Sequence, residues 1–232
     1  MKKKVLLTVA AAMAVTSVAF ASPLTNYDKG SLAIDLNTSI SPEMESGGTV
    51  DAKSRLGAGI TYGIGNKMAL QYNYSDNKSK SFPDWFEVGS YDADGFATAQ
   101  VTGHQLNVLY QINPNVSAFA GLTRSKLKYS GSYVLSDGSG PIGTLSASAT
   151  QTENGYQVGF IGQTQLSEKL DGWALISAGN RVNAFEIGLG YEVAKNTDFN
   201  VFYRQTKYKD FGVDESVDVK MKGLGAGLTF KF

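Results

Sequence analysis

The chain contains 232 residues, with no cysteine, one histidine and 21 basic residues balanced by 21 acidic ones. The lack of cysteine excludes a disulfide scaffold, a thiolate metal site and a cysteine nucleophile, and the neutral balance gives no sign of a nucleic-acid surface. Charged residues make up 18% of the chain, below the roughly 25% of soluble domains, while Gly (26), Tyr (12) and Phe (12) are abundant. This composition predicts an all-β protein with a surface that faces something other than water.

The N-terminus has the features of a secretory signal peptide. Lysines follow the initiator methionine, and the segment 5–20 carries no charge. Ala19-Phe20-Ala21 forms a signal-peptidase site, so we predict cleavage after Ala21. The uncharged stretch is short for a membrane span, which needs about 20 apolar residues. The sequence therefore predicts a signal peptide at 1–21 and one domain at 22–232.

The segment 223–232 alternates strictly between apolar residues and small or polar ones. Its apolar positions are Leu224, Ala226, Leu228, Phe230 and Phe232. Such alternation predicts a strand with one apolar face. Glycine at alternate positions would weaken a strand in a soluble sheet. It suits a strand whose second face points into a narrow barrel.

The same period of two recurs in most upstream segments, while 116–122 and 156–160 are less regular and 173–178 is apolar on both faces; together these segments predict ten strands in all. Their ranges are 32–37, 55–62, 68–74, 105–112, 116–122, 156–160, 173–178, 185–193, 199–204 and 223–232. An even number of strands is what a bacterial outer-membrane barrel requires. We therefore predict a single antiparallel up-and-down transmembrane β-barrel of about ten strands, with eight as the alternative.

Short and long connections alternate between these strands. The short ones are 63–67, 113–115, 167–171 and 194–198. The others, mostly long and polar, are 41–52, 76–99, 130–150, 179–183 and 207–217. This rhythm is typical of periplasmic turns and surface loops.

A soluble sandwich or lipocalin-like barrel would alternate in the same way, with its apolar faces buried. Aromatic residues near the strand ends favour the membrane, because such residues form girdles at the lipid boundary. These residues are Tyr62, Tyr72, Tyr74, Tyr110, Tyr191, Tyr203, Phe230 and Phe232.

Charged residues on the other face of the strands are expected to line the lumen. They are Asp35, Arg55, Glu186, Glu192 and Arg204. A narrow interior does not tolerate unpaired charges, so we expect pairs between Arg and Glu across the lumen. Two interpretations stay open. The charges form a structural plug, or the inner glycines leave room for a thin solute path.

The segment 82–86 places three aromatic residues, Phe82, Trp85 and Phe86, in the second and longest predicted loop. They are candidates for contact with an extracellular ligand, because exposed aromatic residues often anchor interfaces. The equal alternative is a lid folded over the barrel mouth.

Nothing in the sequence favours an enzyme or a cofactor. The one histidine, His104, begins a strand where parity aims it outward, and no nucleophile-elbow, zinc or nucleotide-loop motif is present. An acidic stretch at 92–95 fails the calcium-loop pattern, because its twelfth position is Val101. The remaining alternative is an envelope-modifying barrel enzyme.

The signal peptide, the alternating strands, the loop rhythm and the final aromatic residue together resemble small Gram-negative outer-membrane β-barrels of the OmpX, OmpA-barrel and opacity-like "porin family" type. The resemblance implies an outer-membrane location, contact with outer-membrane lipid and insertion by the barrel-assembly machinery. It also implies that Phe230 and Phe232 belong to the assembly signal. The function it implies is a role in envelope structure or surface interaction, with a narrow diffusion channel for small solutes as the alternative.

Overall fold

The computed structural model describes residues 23–24, 26–45, 49–54, 56–211 and 217–232. The predicted signal peptide and Arg55 lie outside these residues. Within them, no helix is long and apolar enough to cross a membrane. The chain forms strands: β1 (Leu32–Glu45), β2 (Thr49–Lys53), β3 (Leu56–Gly65), β4 (Met68–Ser79), β5 (Phe82–Val88), β6 (Tyr91–Asn113), β7 (Val116–Ser136), β8 (Pro141–Ser167), β9 (Leu170–Gly179), β10 (Val182–Ala194), β11 (Thr197–Phe211) and β12 (Val217–Lys231).

Ten of these strands close a ring. Each pairs antiparallel with its neighbours, in the order β1, β3, β4, β6, β7, β8, β9, β10, β11 and β12, and β12 returns to β1. The short strands β2 and β5 lie outside the ring, where β2 pairs with β1 and β4 and β5 pairs with β6. The predicted ten-stranded barrel is therefore confirmed, and each predicted strand coincides with a strand of the ring.

The apolar face of the strands lies outside the barrel. Ile60, Leu189, Leu224 and Leu228 have exposed fractions of 43%, 49%, 55% and 38%. A soluble sandwich would bury these side chains in its core. The inward positions of the same strands carry polar residues, so the fold has the inverted pattern of a barrel surrounded by lipid.

The two ends of the barrel differ in length. At the short-turn end, strands are joined by tight connections such as Gly65 to Met68, where Asn66 and Lys67 adopt positive φ angles of 53° and 64°. At the long-strand end, β6, β7 and β8 run for 23, 21 and 27 residues. A membrane-crossing strand needs only about 9–11 residues. These three strands therefore project well beyond the lipid.

The projecting parts occupy segments that the sequence predicted to be loops. The prediction of loops at 76–99 and 130–150 is wrong, because β5, β6, β7 and β8 pair almost without interruption through them. Their inward positions mix a few aromatic residues, Phe82, Phe86 and Tyr133, with Ala, Gly and Asp, so the alternation is weak in the sequence.

A bulge in β1 reverses the direction of its side chains. The pairing of β1 with β12 shifts between Ile40 and Glu43, where Ser41 has a φ angle of 47°. One extra residue moves the following side chains to the opposite face. Met44 is consequently buried, with an exposed fraction of 2%.

Candidate functional site: the barrel interior and the projecting sheet

Apolar side chains fill the interior near the short-turn end. Leu24 and Tyr27, from the segment before β1, are buried with exposed fractions of 8% and 2%. The N–H groups of Gly30 and Gly65 donate to the carbonyls of Gly63 and Tyr27 at 2.9 and 3.1 Å, and these bonds hold the segment against β3. The other members of this lower apolar layer are Ala33, Ala69, Leu109, Phe119, Ile161, Leu175 and Ala184.

Above this layer lies a polar belt of buried amide side chains. The Gln71 amide donates to Thr61 at 3.1 Å, and its oxygen accepts hydrogen bonds from Asn73 and Asn107, each at 3.1 Å. The Gln157 amide donates to the Asn107 oxygen at 2.9 Å. The hydrogen bonds connect β3, β4, β6 and β8, so the network stabilises the ring from inside.

The charged residues of the belt pair between neighbouring strands. Glu186 and Arg204 occupy opposed positions on β10 and β11, and the Arg204 Nε donates to the Glu186 carboxylate. The Trp173 indole donates to the other carboxylate oxygen at 3.0 Å. Sequence reasoning expected pairs across the lumen, and that geometry is wrong. Adjacent strands are only about 5 Å apart, which brings the two groups together without crossing the interior.

The remaining predicted lumen residues lie nearer the short-turn end. Asp35 is 3% exposed and accepts a hydrogen bond from Thr229 at 2.7 Å. Glu192 is half-buried at the end of β10. A cavity of about 340 Å³ opens at this end and reaches Trp173. Lys231 also lines this cavity and forms an ion pair with Asp198 at 2.6 Å.

A second apolar group, the upper apolar layer, lies above the belt. Phe82 and Tyr208 belong to it, with exposed fractions of 9% and 0%. Its other members are Met44, Ala52, Ala97, Ala99, Val101, Leu127, Tyr129, Val182 and Met221. The upper apolar layer therefore covers the polar belt on the long-strand side. On the short-turn side, the lower apolar layer shares the interior with buried Asp35 and with the cavity that reaches Trp173.

The projecting parts of β5, β6, β7 and β8 form one sheet, the projecting sheet. On its inner face, Asp84 accepts hydrogen bonds from Tyr129 and, at 2.6 Å, from Tyr133. The Phe86 ring packs edge-on against Tyr133 with ring centroids 4.7 Å apart. Burial, followed by the contact with Asp84, raises the pKa of Tyr133 from 10.0 to about 12 and raises the pKa of Tyr129 as well.

The three predicted contact residues divide between the faces of this sheet. Phe82 and Phe86 are buried, so the prediction that they face a ligand is wrong, because β5 pairs with β6 and turns alternate side chains inward. Trp85 alone points outward, with an exposed fraction of 67%. Asp94 on β6 is paired with Trp85 on one side and with Val134 on the other. Exposed Phe96 lies one outward position further along β6, so these four side chains share one outer surface. No sequence pattern indicated Phe96, because the whole segment was predicted to be a loop.

The family model of the outer membrane protein beta-barrel domain matches residues 8–232. The chain belongs to this family. Membership confirms the outer-membrane location. In outer-membrane barrels the short turns face the periplasm and the long extensions face the cell surface, so we orient the barrel in this way.

Several solved outer-membrane proteins are similar in structure. The outer membrane protease OmpT of Escherichia coli is 13% identical with a TM-score of 0.53, covering 88% of this chain and 94% of OmpT. Ail, the attachment invasion locus protein of Yersinia pestis, is 17% identical with a TM-score of 0.43, covering 87% and 99%. The toluene transporter TbuX of Ralstonia pickettii is 8% identical with a TM-score of 0.45, covering 97% of each chain. At 13% identity the likeness to OmpT shows a common fold alone. No curated protein matches the sequence.

His104 lies on the outside of this outer-membrane barrel. Its Nδ1 is 2.7 Å from the Tyr72 hydroxyl, and the Tyr74 ring centroid lies 5.5 Å from the imidazole centroid. Both tyrosines project from β4, which pairs with β6 at this height. Among the described residues, no three acidic or imidazole side chains are arranged to hold a metal ion.

Proposed function

We propose that this outer-membrane barrel is a non-enzymatic surface-contact protein, whose plugged lumen anchors the projecting sheet outside the membrane. The observation that carries the proposal is the upper apolar layer, which covers the polar belt on the side of the projecting sheet. Ions cross such layers poorly, because a charge loses its hydration there without a partner. The barrel then acts as a rigid support for the projecting sheet rather than as a channel.

The projecting sheet has the properties of a contact surface. Its inner face is held by Asp84 and two tyrosines, so the outer face is rigid. That outer face exposes Trp85 and Phe96, at 67% and 61%, beside acidic Asp94. Exposed aromatic side chains on a rigid support are typical interface anchors. The chemistry fits a protein partner with apolar and basic side chains.

Conductance of the refolded protein in a planar bilayer tests the plug. We expect no reproducible current steps from the wild-type protein. Phe119→Ala with Leu127→Ala removes one large side chain from each apolar layer, and this double variant should show transient current. Stable steps from the wild type would instead support the narrow diffusion channel.

Adhesion of fluorescent proteoliposomes to immobilised basic and acidic proteins tests the contact surface. Trp85→Ser and Phe96→Ser should each reduce adhesion to the basic proteins. Leu166→Ser is the matched control, since Leu166 is 55% exposed but lies near the periplasmic turn between β8 and β9. Equal adhesion of all four proteins would contradict the contact role.

An envelope-modifying activity that is lost in His104→Ala would contradict the non-enzymatic proposal.

A further inference from the structure

Three basic side chains form a stripe on the outside of β7. Arg124, Lys126 and Lys128 are exposed and alternate along the strand with buried Ser125 and Leu127. Among the residues that the structure describes, none of the three basic side chains forms an ion pair. The stripe therefore presents positive charge without an acidic partner in the described part of the protein.

The stripe begins where the apolar outer surface ends. Leu122, which is 67% exposed, precedes Arg124 by one outward position, and Leu106 lies opposite Leu122 on β6. His104 lies opposite Arg124 at the next level up. In an outer-membrane barrel this level is the boundary between acyl chains and headgroups of the outer leaflet. Each further outward position rises about 7 Å along the strand, so the two lysines reach above the boundary.

A groove of about 310 Å³ lies at this boundary. Its lower part is lined by Leu106 and Leu122, and its upper part by His104, Arg124 and Asn154. One end is therefore apolar and the other is cationic and rich in hydrogen-bonding groups. A molecule that fits both ends carries acyl chains and an anionic headgroup.

We propose that the groove and the stripe bind a lipid of the outer leaflet whose phosphate headgroup carries a net negative charge. Arg124 donates to the phosphate oxygens, because a guanidinium matches phosphate with two parallel hydrogen bonds. Lys126 and Lys128 add positive charge above it, and the acyl chains lie along Leu106 and Leu122. Basic side chains just outside the hydrocarbon region are the usual means by which membrane proteins recognise anionic headgroups. This site lies on the barrel wall and operates whether or not the projecting sheet binds a partner.

Native mass spectrometry of the full barrel in zwitterionic detergent tests the site. The probes are dioleoyl phosphatidic acid, which carries a phosphate monoester, and dioleoyl phosphatidylcholine. The wild type should retain phosphatidic acid at least about tenfold more tightly than phosphatidylcholine. The variant Arg124→Gln with Lys126→Gln and Lys128→Gln should lose that preference. A difference in electrophoretic mobility between the unboiled and the boiled variant shows that its barrel is still folded.

The matched control removes the same charge elsewhere. Lys67, Lys169 and Lys195 are exposed on three different periplasmic turns, and their replacement by Gln should leave the preference unchanged. An equal loss in this control, or no loss in the stripe variant, would overturn the proposal. Displacement of the lipid by an equal concentration of free glycerol 1-phosphate would also overturn it, because the site would then recognise phosphate without acyl chains.

Discussion

Trp173 on β9 lies directly opposite Gly188 on β10, and its indole ring covers this glycine inside the barrel. Two other pairs repeat the arrangement: Phe202 covers Gly225, and Phe119 covers Gly159. In each pair an aromatic ring occupies the space that a glycine leaves on the neighbouring strand. Aromatic side chains from adjacent strands therefore fill the space beside these inner glycines, so the glycines do not open a solute path at these positions.

Replacement of Gly188 by alanine should destabilise the barrel. The added Cβ would meet ring atoms of Trp173, which is itself held by Glu186, so the indole must shift. We expect a loss of about 1–3 kcal/mol in the free energy of unfolding, measured by urea titration in lipid vesicles. Gly162→Ala is the control, because no atom lies within 4 Å of its added Cβ. A similar loss in both variants would show that the ring contact is not the cause.

Loss of the ion pair between Glu186 and Arg204 should lower the free energy of unfolding. Both side chains are nearly fully buried, with exposed fractions of 1% and 7%. Glu186→Leu leaves a buried guanidinium without its carboxylate, which should cost about 3–5 kcal/mol of unfolding free energy. The double variant Glu186→Leu with Arg204→Leu should be more stable than Glu186→Leu alone, because it leaves neither charge buried. Simple additivity of the single variants in a double-mutant cycle would contradict the pairing.

A substitution at Phe232 distinguishes an effect on membrane insertion from an effect on the stability of the folded barrel. Its side chain is 70% exposed, while its backbone N–H donates to Leu32 at 2.8 Å and closes the ring. Phe232→Ala keeps these backbone bonds, so the stability of the refolded barrel should change by less than about 0.5 kcal/mol. The amount inserted in the outer membrane of living cells should fall, if the final aromatic residue is read during assembly. Unchanged insertion would contradict its role as a signal.

The barrel was predictable because most of the ten segments carry apolar residues at every second position, and lipid outside demands that pattern. The projecting sheet was not predictable, because its inward positions mix small residues such as Ala97, Ala99 and Gly131 with a few aromatic ones, and its outward positions mix Ser and Thr with charged and aromatic residues. A polar, glycine-containing stretch then has the composition of a loop although it pairs as a sheet.

The interior was predictable only in part. Parity along β10 and β11 was sufficient to place Glu186 and Arg204 inside, but it could not show which residues lie opposite one another. Leu24 and Tyr27 precede the first strand and share no period with it, so no sequence pattern indicated their entry into the barrel. The basic stripe at Arg124, Lys126 and Lys128 does have a signal: three cations at alternate positions of one strand.

The contact of Tyr129 and Tyr133 with Asp84 should appear in an alkaline titration. Burial raises the pKa of Tyr133 to about 12, whereas an exposed phenol in the unfolded chain loses its proton near its ordinary pKa of 10.0. A raised pKa in the folded state means that the stabilisation is complete below pH 10, and that it is lost as the pH rises from about 10 to 12. Absorbance at 295 nm should therefore show a late tyrosinate step in the folded protein, and Tyr133→Phe should reduce its amplitude. The boiled chain is the control, since its phenols are hydrated and the late step should vanish. A late step of equal size in Tyr133→Phe would assign the titration to other tyrosines and remove the evidence for this contact.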